Sequence, residues 1–342
     1  MGAGASFGLG FQSDKALEDY ERLAAAAEAL GFDVLSVFGD LYFQPPVVAL
    51  VAMARATTRV RLGPACLNPF VLHPVEIAAQ IALLDAASGG RAYLGLARGS
   101  WLGALGLDQR RAPEAIAEAA AVIDALLRGE DSGVEGRRFF LPPGARLRGR
   151  STPRPVPLLV GAWGPRLAAV GGRLAAEVKL GGSANPAMAR LMRSRIAAGE
   201  VEAGRAPGSC GLVVGAVTVV ATDGSAARRR AREEVAMYLD VVAGLDPTVE
   251  VPGDTRAELA RRVAAGDRAG AASLVSDELL SSFAFAGTPE DVAEHAAGLV
   301  EAGASRIEFG APHGLSDAEG VELLGRRVLP ELRAALGQED RS

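Results

Sequence analysis

Short runs of aliphatic and β-branched residues alternate along the chain with longer stretches whose apolar positions recur at helical spacing. Strands are predicted at Ser6–Phe11, Val34–Val37, Thr58–Gly63, Ala92–Leu96, Leu158–Val160, Glu177–Leu180, Gly211–Val220 and Arg306–Phe309. Between and after them the 3.6-residue period predicts helices at Lys15–Leu30, Pro46–Ala56, Val75–Ala87, Pro113–Arg128, Pro165–Gly171, Pro186–Ala203, Ser225–Val242 and Asp317–Leu336. Gly31 stands where a helix ends, and Pro46 where one begins. Eight strand–helix units in unbroken alternation predict an α/β chain folded as one closed (β/α)8 TIM barrel. The alternative, an open doubly wound sheet, would carry a phosphate loop after its first strand; Gly8-Leu9-Gly10-Phe11 lacks the third glycine of that fingerprint. Two stretches break the rhythm. Residues 129–157, rich in Gly, Pro and Arg, predict a hairpin or loop, and residues 245–286 predict an inserted helical segment serving as a lid or an oligomer contact.

Composition narrows the class. With 342 residues, 49% of them hydrophobic, the chain can bury one large core. No apolar run approaches the roughly 20 residues that cross a bilayer, and Met1–Phe11 has no basic segment or cleavage-like site, so a cytoplasmic protein without membrane contact is predicted. Cys66 and Cys210 have no metal-ligand spacing, and with only His73, His295 and His313 besides, no metal site is predicted. The net charge is −5, and Arg228-Arg229-Arg230 shares its helix with Glu233 and Glu234, which reads as a solvated face rather than a nucleic-acid patch. Nearly all the positive charge is arginine; the two lysines are Lys15 and Lys179.

In a parallel barrel the reactive face is the set of loops that follow the strands. Gly161-Ala162-Trp163-Gly164-Pro165 follows the fifth strand, and Gly181-Gly182-Ser183-Ala184-Asn185-Pro186 the sixth. Each leads into a helix, so free backbone N–H groups and positive helix ends would sit side by side, an arrangement suited to a phosphate; each alone is equally a tight turn. After the third strand lies Gly63-Pro64-Ala65-Cys66-Leu67-Asn68, small enough for a flat ring to approach, or a plain kinked loop. After the fourth come Arg98, Ser100 and Trp101 among glycines, a source of charge-assisted hydrogen bonds beside an apolar wall. Asp40, after the second strand, is either a rim acid or a cap. His313, in Gly310-Ala311-Pro312-His313-Gly314, is the histidine predicted at the reactive rim; His73 reads as a cap of the third helix and His295 as part of an exposed helix. Glu308, if it points inward, is a buried carboxylate in need of a partner. No Ser-His-Asp order and no paired acids at glycosidase spacing appear. A rim poor in acid–base groups and rich in glycine points to a cofactor that brings its own reactivity.

At these same loops the sequence resembles the luciferase-like flavin and deazaflavin oxidoreductases, and within them the methylenetetrahydromethanopterin reductase group that uses coenzyme F420. The matching segments are LGPACLNPF (Leu62 to Phe70), SGGR (Ser88 to Arg91), LGLARGSWLG (Leu94 to Gly103), GAWGP (Gly161 to Pro165), VSDELLSSFAFAGTPEDV (Val275 to Val292) and FGAPHG (Phe309 to Gly314). The resemblance implies hydride transfer at the deazaflavin C5 to or from a C=N, C=C or alcohol carbon, with an FMN monooxygenase as the alternative cofactor use and a non-catalytic cofactor-binding subunit as the non-enzymatic one. It implies a homodimer, a cis peptide at Ala65-Cys66 behind the ring, and a cofactor site drawn from Ala65, Cys66, Asn68, Arg98, Gly161, Ala162, Gly164, Gly181, Gly182 and Ser183. Asp40, Ser100, Trp101 and His313 would face the substrate. Three positions depart from that group: Leu41 where many relatives carry His, and Gly10 and Ser100 where the methanopterin reductases carry acids. A different substrate is therefore expected.

Overall fold

The computed structural model describes residues 4–100, 102–149, 152 and 154–338. Nine strands run in parallel: β1 (Ser6–Phe11), β2 (Val34–Val37), β3 (Arg61–Pro64), β4 (Leu94–Ala97), β5 (Leu158–Gly161), β6 (Glu177–Gly181), β7 (Gly211–Val220), β8 (Ala284–Gly287) and β9 (Arg306–Gly314). Eight follow one another in the order β3-β2-β1-β9-β7-β6-β5-β4, and a parallel bridge between Leu62 and Ala92 joins the two ends. The predicted (β/α)8 barrel is the fold.

Helices α1 (Leu17–Ala29), α2 (Pro46–Ala56), α3 (Pro74–Ser88), α4 (Ala112–Arg128), α5 (Pro165–Leu174), α6 (Pro186–Glu202) and α7 (Gly224–Ala236) cover the strands, followed by α8 (Leu239–Val242), α9 (Gly253–Ala264), α10 (Arg268–Ala272), α11 (Asp277–Phe283), α12 (Pro289–Glu301), α13 (Asp317–Leu323) and α14 (Leu329–Ala335). A π-helical turn, Leu324–Val328, joins the last two. Alternation along each strand divides the core. Phe7, Leu9, Phe11, Leu35, Val37, Val178, Leu180, Ile307 and Phe309 belong to the outer cluster shared with the helices, whereas Val34, Tyr93, Leu159 and Val213 form a separate small cluster inside the barrel.

Several boundaries differ from the pattern-based expectation, each for a local reason. β3 begins at Arg61 rather than Thr58 because the amides of Thr58, Arg59 and Val60 donate to the Glu28 carboxylate at 2.6–3.0 Å instead of to a neighbouring strand. The helix expected over Ser225–Val242 breaks at Tyr238, whose hydroxyl donates to the Phe283 carbonyl at 3.0 Å. The stretch 245–286 is not wholly helical: its end supplies β8, hydrogen-bonded to Val217–Val220 of β7. β9 continues to Gly314, pairing again with β7 beyond a bulge. Residues 129–157 turn back on themselves through an antiparallel bridge between Val134 and Leu141.

Carboxylates on the helices fasten the loops. Besides Glu28, Glu118 accepts from the amides of Arg137, Arg138 and Phe139, and Glu200 from those of Gly208 and Cys210. Arg91 of the SGGR segment binds the carbonyls of Ala54, Thr57, Val60 and Ser88, so its role is to tie the ends of α2 and α3 to β3. Burial alone would raise the Glu28 carboxyl, but the amides of Val60, Arg59 and Thr58 outweigh it and hold it below its ordinary value.

Glu28→Gln is expected to cost about 1.5–3 kcal/mol at pH 7 by urea unfolding, the range for hydrogen bonds to a charged group. Because the folded carboxyl lies below the unfolded one, that contribution is present above about pH 4.3 and fades as pH falls through the folded value. A gap between variant and wild type that stayed constant down to pH 3 would contradict the assignment.

Candidate functional site

The C-terminal ends of the strands surround a cavity of about 610 Å³, a size typical of ligand pockets. Small residues open part of its wall, Ala65 after β3, Gly181 at the end of β6 and Gly182 after it, Gly215 and Ala216 on β7, and Gly310 and Ala311 on β9, while Asp14, Lys15, Arg230, Glu234 and Asp317 line its rim. Larger side chains enter from Phe38, Phe43, Met237 and Tyr238. The Ala65–Cys66 peptide is cis, as is Ala311–Pro312.

The floor carries charge. Strand alternation aims Lys179 of β6 and Glu308 of β9 into the barrel, where they form an ion pair with 7% and 1% of their side chains exposed. The second carboxylate oxygen of Glu308 accepts from the Ser36 hydroxyl at 2.5 Å, and that hydroxyl lies 2.6 Å from the Tyr93 hydroxyl. Lys179 Nζ also stands 5.0 Å from the centre of the Phe38 ring. Deeper still, Arg306, fully buried, faces Glu177 at 3.4 Å and the Tyr93 ring at 5.4 Å. Burial by itself would raise the Glu308 carboxyl; the charges of Lys179 and Arg306 and the hydrogen bonds from Lys179 and Ser36 hold it below the ordinary range. Glycines make room for these groups. A Cβ on Gly63 would lie 2.5 Å from the Tyr93 ring, and one on Gly10 would lie 2.7 Å from Phe38 and 3.0 Å from Glu308 Oε1.

At the mouth, Asp40 accepts from Gln12 Nε2 at 3.3 Å. Although the residue is exposed to solvent at the mouth, partial desolvation by the surrounding walls raises its carboxyl above the usual range, in part offset by Gln12 and by the Lys179 charge. Lys15 bridges Asp14 at 2.8 Å and Asp317 at 2.9 Å, tying the segment after β1 to the start of α13.

Of the residues singled out in the sequence, the cavity brings together Asp40, Ala65, Ser100, Gly181, Gly182 and Glu308, the last pointing inward with Lys179 as the partner it needs. The others stand elsewhere. Cys66 turns its thiol back toward Gly95 and Gly161, and burial pushes it up to about 12, so it is no nucleophile. Asn68 closes its own turn by accepting from the Phe70 amide at 2.8 Å. Arg98 is exposed outside the cavity, and Trp101 lies outside the described residues. His313 is not at the rim but wholly buried, its ring 4.9 Å from that of Phe11 and its Nδ1 3.5 Å from Asp317. His295 is half-buried rather than on an open face, with Nε2 2.8 Å from the Ala184 carbonyl, while His73 does cap α3.

The two glycine-rich mouths are not equivalent. In the β6–α6 loop the amides of Gly182 and Ser183 donate to the Gly215 carbonyl, that of Ala184 to Ser282, and that of Asn185 to the Ser183 hydroxyl. Those donors are spent within the protein. Gly161, Ala162 and Gly164 do not line the cavity, and the Ala162 amide donates to the Lys179 carbonyl. Sequence reasoning passed over Lys179. Its signal was there: in Glu177-Val178-Lys179-Leu180-Gly181 it occupies the inward register of a barrel strand, in a chain whose other basic residues are almost all arginine.

Comparison with known proteins fits this architecture. A family model described as luciferase-like monooxygenase matches residues 4–306. The chain belongs to that family. It is 29% identical over 337 residues to a 5,10-methylenetetrahydromethanopterin reductase of Archaeoglobus fulgidus, covering 96% of this chain and 99% of the relative. It is 28% identical over 333 residues to an F420-dependent glucose-6-phosphate dehydrogenase of Nakamurella multipartita, covering 92% and 93%. Among solved structures, the coenzyme F420 dependent tetrahydromethanopterin reductase of Methanopyrus kandleri superposes with a TM-score of 0.85 at 25% identity, covering 96% of this chain and all of that one. These relatives are oxidoreductases, and this luciferase-like chain is an oxidoreductase with them.

The buried pair can be tested by stability. Glu308→Leu, which strands the Lys179 ammonium, is expected to cost about 3–5 kcal/mol in urea unfolding, whereas Lys179→Met combined with Glu308→Leu costs much less. Equal losses in the single and double variants would mean that the two side chains do not act as a pair.

Proposed function

We propose that the protein is an F420-dependent oxidoreductase that moves a hydride between a bound deazaflavin and a C=N, C=C or alcohol carbon of a small organic substrate. The observation that carries this reading is the cavity itself: a roomy chamber at the reactive end of the barrel, opened by Gly181, Gly182, Gly215 and Gly310, whose charged lining is largely tied up in the pairs Lys179–Glu308, Lys15–Asp14, Lys15–Asp317 and Arg230–Glu234. The kinship to F420-dependent reductases and dehydrogenases over nearly the whole chain supports the deazaflavin over FMN.

The residues present fit such a group. Ala65, Gly181 and Gly182 leave space where longer side chains would fill the cavity, and a Cβ on Gly181 would meet nothing nearer than Lys179 Cε at 3.6 Å. Ala65, Gly181, Gly182 and Ala216 would hold the ring, with Phe38 beside it. When bound, the deazaflavin supplies or accepts a hydride at a ring carbon. The chain's own contribution is orientation and shelter from water, which can account for much of a hydride-transfer barrier. Asp40, its carboxyl raised by partial desolvation, is suited to take up or release a proton at the substrate side, with Ser100 across the mouth. The substrate differs from methanopterin in this proposal, because Phe38 and Glu308 occupy the space a side chain at position 10 would need.

Two measurements test the reading. Purified protein mixed with F420 and, separately, with FMN is expected to retain F420 on equilibrium dialysis and to consume no oxygen when given reduced FMN. Retention of FMN alone, with oxygen uptake, would move the protein to the monooxygenase reading. Gly181→Asp adds a carboxylate to the wall without backbone strain and is expected to weaken F420 binding by about a hundredfold or more, because the side chain occupies the ring's space and its charge competes with an anionic ligand for the Lys179 ammonium. Unchanged affinity would put the cofactor elsewhere.

A further inference from the structure

We propose that the Lys179–Glu308 pair at the cavity floor biases the bound redox ring toward its reduced, more negative state, the ammonium favouring that state and the carboxylate tempering it; this rests on the deazaflavin reading above. Three observations support it. First, both groups line the cavity, and the ammonium is the more open of the two, while Glu308 is fastened on its far side by Ser36 and, through Ser36, by Tyr93. The positive end of the pair therefore sits toward the chamber. Second, Glu308 is the only ion-pair partner of Lys179 among the described residues, and the Phe38 ring centre lies 5.0 Å from the ammonium. Third, the Lys179 charge acts on groups on different sides of the floor, favouring the ionised forms of both Asp40 at the mouth and Cys66 behind the wall.

The chemistry follows from charge balance. Hydride uptake adds two electrons and one proton, so a planar redox ring carries one extra negative charge until a second proton follows. Held almost fully buried at the floor, a fixed ammonium acts on that charge more strongly than it would in water. The carboxylate acts with the opposite sign. The net bias is thus set by two residues that sequence spacing never brings together, one on β6 and one on β9. Ser36 and Tyr93 are positioning residues in this scheme: they hold Glu308 ionised and fixed and do not reach the ring.

Opposite signs make the test decisive. Dissociation constants for oxidised and chemically reduced F420 are measured anaerobically for the wild type, Lys179→Met, Glu308→Gln and Lys179→Arg, each shown to be folded by far-ultraviolet circular dichroism. Lys179→Met is expected to lower the preference for reduced over oxidised F420 by about tenfold, equivalent to a midpoint potential about 30 mV lower for a two-electron couple. Glu308→Gln should raise that preference by roughly threefold, and Lys179→Arg, which keeps the charge, should leave it within roughly threefold of the wild type. An unchanged ratio in Lys179→Met, or a shift in the same direction in Lys179→Met and Glu308→Gln, overturns the proposal, since a purely structural pair would weaken both oxidation states alike in either variant. If Lys179→Met does not fold, the direction of the Glu308→Gln shift decides. Wild-type protein that binds F420 with a ratio insensitive to these changes defeats this inference alone; wild-type protein that binds no F420 defeats the deazaflavin reading and this inference with it.

Discussion

A lysine and a glutamate sealed inside a β-barrel are tolerable only as a pair, and much of this structure is arranged around that requirement. The carboxylate needs its second oxygen satisfied, which Ser36 supplies, and Ser36 leans on Tyr93. Tyr93 in turn needs volume, which Gly63 concedes by having no side chain, and Gly10 does the same for Phe38. A barrel interior filled in the usual way by branched aliphatic residues has no place for such a set. Here only the small cluster around Val34, Tyr93, Leu159 and Val213 is packed in that manner, and the layer above it is polar.

That division of the interior produces the functional site. The lower layer plugs the barrel, the ion pair forms a floor, and the small residues at the strand ends leave an open chamber above it. At the rim Lys15 is paired with Asp14 and Asp317 and Arg230 with Glu234, while Asp40 is in no ion pair among the described residues, which accords with a family of oxidoreductases whose members include F420-dependent enzymes. The outer shell serves a separate purpose. Glu28, Glu118, Glu200 and Arg91 bind loop backbone directly and fix the scaffold without approaching the cavity.

Much of this was legible in the sequence. Alternating strand and helix patterns identified the eight barrel strands, and the loops after β2, β3, β4 and β6 contributed Asp40, Ala65, Ser100, Gly181 and Gly182 to one cavity. What escaped depends on relations that pattern does not encode. Glu28 claims the amides that would have begun β3 earlier, a contact across about 30 residues. The β6–α6 amides look free for a ligand until Gly215 and Ser282 are seen to accept from them. His313 stands near the end of β9 yet is buried against Phe11 of the outer cluster, because a rim position in sequence does not determine the direction of a side chain. β8 begins at Ala284 directly after α11 ends at Phe283, so no turn residue separates the strand from the helical segment before it.

The placement of the two cysteines, Cys210 buried and Cys66 half-buried, has a practical side. With the Cys66 thiol held near 12 and that of Cys210 near 11, almost no thiolate exists at neutral pH on either sulfur. The thiolate is the form that attacks peroxide and alkylating reagents, so both sulfurs are chemically quiet at neutral pH. A redox enzyme built this way can turn over beside oxidants without its own thiols entering the exchange.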